Sequence, residues 1–114
     1  MRRCLFLLLL LLGACSKGPQ ADLQYISAAR SLAAEWALVN QMADQGKLTG
    51  PYVSSMRKSL QQQAAVAASA LTQPQSDYGR QMQALAREHG DAAPAQLRAR
   101  SDALKQIEDR LESA

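Results

Sequence analysis

The chain has 114 residues, with 13 basic and 10 acidic side chains, one His, one Trp and one Phe. That length suits a single domain with a modest core. Two of the basic residues, Arg2 and Arg3, precede an apolar run. Without them the balance is 11 basic against 10 acidic, which gives no ground for a nucleic-acid partner.

The first element is the amino-terminal segment. Arg2 and Arg3 form a positive start, and Leu5 to Leu12 are eight consecutive apolar residues. As a helix they span about 12 Å, against roughly 30 Å of bilayer hydrocarbon. That is too short to cross a membrane and right for the apolar stretch of an export signal. The small residues Gly13 and Ala14 follow, then Cys15.

The segment Leu12-Gly13-Ala14-Cys15 resembles the lipobox of bacterial lipoproteins, and the likeness covers about residues 1 to 20. No family is assigned to the rest of the chain. The resemblance implies lipidation of the Cys15 sulfur and cleavage between Ala14 and Cys15. The partner it implies is a membrane, held through covalent lipid. Each buried CH₂ contributes about 0.8 kcal/mol, and two chains suffice for stable anchoring. Ser16, where the class commonly carries Asp for inner-membrane retention, favours the outer membrane with the domain facing the periplasm.

Both cysteines, Cys4 and Cys15, fall in this segment, so the body has no thiol pair for a disulfide. Its fold rests on packing. The expected organisation is a signal over residues 1–14, a lipidated polar tether over 15–21 and a helical domain over 22–114.

No stretch of the body alternates with period two, and good helix formers dominate. The first helix is expected from Asp22 to Gln45, with Ile26, Ala29, Leu32/Ala33, Trp36, Val39 and Met42/Ala43 as its apolar stripe and Gly46 as its stop. Asp22 would suit the positive end of the helix dipole. The second is expected from Gly50 to Leu71, with Thr49 as N-cap, Pro51 in the first turn and a Leu48–Val53 staple. Its stripe is Val53, Met56, Leu60, Ala64, Ala67 and Leu71. The short link between them predicts an antiparallel hairpin.

A third helix is expected from Gln75 to His89, placing Tyr78, Met82, Leu85 and His89 on one face before Gly90. Either Thr72 with Gln75 or Ser76 would cap it. The fourth runs from Pro94 to Glu112, with Leu97, Leu104, Ile107 and Leu111 inward and i,i+4 pairs Arg98–Asp102 and Lys105–Asp109. Its charges oppose the helix dipole: Arg98 and Arg100 near the start, Glu108, Asp109 and Glu112 near the end. An antiparallel partner of like polarity, in the bundle or in a second copy, would align opposite charges. The fold class is therefore all-α, a small antiparallel bundle.

Reactive constellations are scarce. His89 is alone and suits a helix C-terminus. Ser55-Met56-Arg57-Lys58 meets the Ser-x-x-Lys spacing only formally, because its companion elements are missing. Glu35 beside Trp36 is an edge carboxylate. Trp36, Met42, Met56 and Met82 would line an apolar groove or, at helical spacing, form plain core. No catalytic residue, cofactor or metal is assigned, and the assigned site is Cys15 for lipidation with cleavage at Ala14–Cys15. The expected role is that of an anchored, non-enzymatic module that binds an envelope protein or itself. The alternative is an inhibitor or exclusion factor acting on a periplasmic enzyme or incoming machinery.

Overall fold

A computed structural model describes residues 18–114. Four α-helices form, α1 Pro19–Asp44, α2 Gly50–Ser69, α3 Asp77–Ala86 and α4 Pro94–Glu112, with no strand among the described residues. This is the all-α bundle that the spacing predicts. No helix among the described residues is long and apolar enough to cross a membrane. The signal segment with Ala14, and Cys15, Ser16 and Lys17, lie outside the described residues.

The helical body begins earlier than expected. Pro19, Gln20 and Ala21, assigned above to the tether, are the first turn of α1. Pro19 has the φ a helix start needs and lacks the N–H that would go unused there. Gly18 precedes it at φ 89°, a backbone region that favours glycine, and its N–H donates to Thr72 Oγ1 at 3.2 Å.

At 26 residues α1 is about 39 Å long and organises the bundle. It ends in a Schellman arrangement. The Gly46 N–H donates to Ala43 O at 3.0 Å and the Lys47 N–H to Met42 O at 2.9 Å, with Gly46 at φ 68°. Thr49 caps α2 by accepting from the Tyr52 N–H. Leu48 on one side of the cap and Val53 on the other both join the core, as a staple requires.

α4 lies antiparallel along α1 and makes its largest interface. Gln20, at the start of α1, donates to Leu111 O at 3.0 Å, and Arg98, at the start of α4, donates to the Gln41 side chain. α2 packs on the adjacent flank of α1, and α3 closes mainly against α2. Ile26, Ala29, Ala33 and Trp36 from α1 meet Leu60 and Ala64 from α2, Tyr78, Met82 and Leu85 from α3, and Leu97 and Leu104 from α4. The alanines let helix axes approach, while each buried Leu, Ile or Met contributes about 1.5–3 kcal/mol. With no cysteine among the described residues, these side chains supply the stability of the bundle.

α3 is shorter than its expected range of Gln75 to His89. Ser76, not Thr72, caps it by accepting from the Gly79 N–H at 3.1 Å. The chain leaves the helix after Ala86, and His89 is exposed rather than inward. The cause lies in α1: donors on Trp36 and Asn40 take the Gly90 carbonyl, which a continuing helix would place elsewhere.

Gly79 stands inside α3 because the preceding loop folds onto it. A Cβ there would lie 2.6 Å from the Pro74 carbonyl carbon and 2.9 Å from Gln73 O. Gly50, at the start of α2, has open space. Gly79→Ala is therefore expected to destabilise by about 1–3 kcal/mol, despite the better helix propensity of Ala. Gly50→Ala is expected to be neutral or mildly stabilising. Urea midpoints of the two variants check this, and equal midpoints would contradict the packing described.

Candidate functional site

Two polar clusters occupy opposite ends of α1. The first gathers at its start. Asp22 is fully buried, at 0% exposure. Its Oδ1 accepts from the Thr72 N–H at 2.8 Å. Its Oδ2 accepts from Tyr78 Oη at 2.7 Å, Thr72 Oγ1 at 3.0 Å and the Gln73 N–H at 3.2 Å. Thr72, proposed above as part of a capping box, instead joins α1 to the α2–α3 connection.

Burial pushes the Asp22 carboxyl upward, but the donors Tyr78, Thr72 and Gln73 outweigh it and hold it below its ordinary value. Burial, and then the bond to Asp22, push Tyr78 up to about 12. The cluster's stability at neutral pH is thus lost as pH falls through the folded Asp22 value. On the alkaline side it is lost between the ordinary tyrosine value of 10.0 and about 12.

The second cluster lies at the far end of α1. Trp36 Nε1 donates to Gly90 O at 2.8 Å, and Asn40 Nδ2 donates to Gly90 O at 2.9 Å and Ala92 O at 2.8 Å. Asn40 is 1% exposed, and its Oδ1 accepts from Arg57 Nε at 2.8 Å. Gln61 adds a bond to Glu88 O at 3.0 Å. The connection between α3 and α4 is therefore fastened to both α1 and α2. Beside it opens a cleft of about 670 Å³ between the end of α1 and the first turns of α2, lined by Asp44, Leu48, Val53, Arg57, Lys58 and Gly90 among others.

The remaining candidates from the sequence scatter. Glu35, Ser55, Lys58 and His89 are exposed, and among the described residues no ion pair joins any two of them; Ser55 and Lys58 are neighbours only as i,i+3 residues of α2. Trp36 and Met82 are fully buried, and Met56 packs partly buried against the core. With Met42 half-buried, these four do not line a common groove.

The inverted charges of α4 are used inside the bundle. Arg30 Nε of α1 stands 3.0 Å from Glu108 Oε1, an ion pair without hydrogen-bond alignment, and Arg100 Nε donates to Glu88 Oε2 at 2.6 Å. Lys105–Asp109 forms at 3.3 Å as expected. Arg98 turns to Gln41 instead of Asp102, because the antiparallel α1 supplies a closer acceptor. Glu108, Asp109 and Glu112 bring carboxylates together at the end of α4, but Arg30 and Lys105 already neutralise two of them.

Read from the sequence, Asp22 has only a dipole-compatible place in a first turn, and Asn40 and the Arg57 guanidinium have no role, although a signal for all three exists. Asp22, Ile26, Ala29, Ala33, Trp36 and Asn40 share one spacing of fours and threes, so the stripe of α1 has polar residues at both ends. Arg57 likewise falls in step with Val53 and Leu60. No protein-family model matches the chain, and no curated protein or solved structure matches it either.

Asp22→Asn is expected to cost about 2 kcal/mol at neutral pH, and Tyr78→Phe about 1 kcal/mol. The Asp22→Asn deficit shrinks on acidification, because the native carboxylate loses its advantage there. Urea unfolding at neutral and acidic pH measures this, and a deficit independent of pH would contradict it.

Proposed function

We propose that the chain is a lipid-anchored protein of the bacterial envelope whose helical body is a protein-interaction module. In this reading it is held by lipid on Cys15 and faces the periplasm from the outer membrane. The observation that carries the reading is the lipobox Leu12-Gly13-Ala14-Cys15 behind Arg2-Arg3 and the apolar run. Diacylglyceryl and acyl chains on Cys15 would anchor the protein permanently, at about 0.8 kcal/mol per buried CH₂.

The body supports a fixed stance on that anchor. Gly18 follows Cys15 by three residues and is bonded to Thr72. Those three residues reach at most about 10 Å. The Asp22 end of the bundle would thus sit near the lipid surface, and Asn40 would lie about 27 Å further along α1. An anchored protein needs no reactive group to serve as a docking post, only a rigid body and a surface presented away from the lipid.

Cells fed radiolabelled palmitate are expected to incorporate label into the protein. Cys15→Ser should abolish labelling, block processing at Ala14 and shift the protein out of the membrane fraction. Absence of label, together with unchanged processing and fractionation of Cys15→Ser, would overturn the proposal.

A further inference from the structure

We infer that the cleft beside Arg57 binds carboxylate side chains of an acidic, partly apolar segment of another envelope protein; this deepens the interaction-module reading and rests on it. The site is built around one cation. The stem of Arg57 lies against Gly90, where even a Cβ would come within 3.4 Å of Arg57 Cδ. Its Nε is held by buried Asn40, which is itself held by Gly90 O and Ala92 O. Both amide protons of Asn40 and its carbonyl oxygen are thereby used. Any neutral donor would satisfy that oxygen, yet the group supplied is a guanidinium.

Arg57 is therefore oriented before any ligand arrives. Its Nη1 and Nη2 have no hydrogen-bond or ion-pair partner among the described residues, and neither does the ammonium of Lys58, which lines the same cleft. A guanidinium already fixed through Nε presents its end-on edge to a planar carboxylate, the geometry of a two-point charge-assisted contact. Little side-chain freedom remains to be lost on binding.

The rest of the cleft narrows the ligand class. Leu48 and Val53 place apolar surface beside the two cations. Arg98, bonded to Gln41 of α1, stands at the same end of the bundle, and Lys47 lies in the connection between α1 and α2, close in the chain to Asp44. A free inorganic anion uses the cations alone. A peptide with alternating acidic and apolar side chains uses both kinds of wall, so we assign the cleft to a protein ligand. Asp44 also lines the cleft and opposes an incoming carboxylate.

The test uses the full chain in detergent micelles, at low salt, with a short dansylated peptide alternating Glu and Leu. Saturable binding is expected, with movement of the Arg57 Nε–H resonance in the nitrogen-15 spectrum. Lys58→Glu, an exposed change that leaves Asn40 untouched, should weaken binding about tenfold. Asp44→Asn should tighten it several-fold, and Lys105→Glu on α4 should leave it unchanged. Inorganic phosphate should not displace the peptide. The inference is overturned if Lys58→Glu has no effect, if Lys105→Glu weakens binding equally, or if phosphate competes as well as unlabelled peptide. Failed binding by a protein that carries palmitate contradicts the cleft assignment alone. Absence of palmitate with intact binding contradicts the anchor alone.

Discussion

The bundle depends on α1 burying polar side chains at both ends of its apolar stripe. Asp22 and Asn40 each hold a connection that has no regular structure of its own. A buried carboxylate is costly without donors, and this one has four. Each donor comes from a residue at least 50 positions away in the chain, so the site is satisfied only when the whole bundle is assembled. The same holds for Asn40, whose amide pairs with carbonyls of Gly90 and Ala92. Apolar contacts between alanine-rich helices tolerate sliding. These directional bonds do not, and they set the register of α2, α3 and α4 against α1.

The helical periodicity that makes the elements legible is a local property. Ile26 through Val39 and Val53 through Ala67 repeat at threes and fours, and the cap at Thr49, the staple around it and the stop at Gly46 are all short-range chemistry. These features lie where the sequence puts them. Departures arise where a distant partner decides. Pro19 starts α1 earlier than expected because Thr72 and the Asp22 cluster hold Gly18. His89 leaves the predicted inward face because Trp36 and Asn40 capture the Gly90 carbonyl. Arg98 abandons Asp102 because α1 lies antiparallel beside it.

The candidate site was less legible than the fold for the same reason. Asp22 read from sequence alone is a dipole-compatible residue in a first turn, and Asn40 an ordinary polar position. Their step with Ile26, Trp36 and the residues between marks them as inward-facing, but their partners are not visible without the tertiary arrangement. Arg57 has the same character: its spacing predicts a flank of the core, while its role depends on Asn40 and Gly90. Cys15 is the converse case, since the resemblance to a lipobox is carried by adjacent residues alone and its lipidation stands as a proposal independent of the fold of the body.

A bundle pinned at the Asp22 end leaves the Asn40 end, with its cleft and cations, as the face on which the proposed protein interaction would occur. That division requires Asp22 to act as a clamp rather than as one more buried group. Hydrogen exchange of individual amides measures this most directly. With Asp22→Asn, the amides of Thr72, Gln73 and Gly18 should lose protection first and most, while those of Ala92 and the α2 core keep theirs under native conditions. Uniform loss across all four helices, or unchanged protection at Thr72 and Gln73, would contradict the clamp.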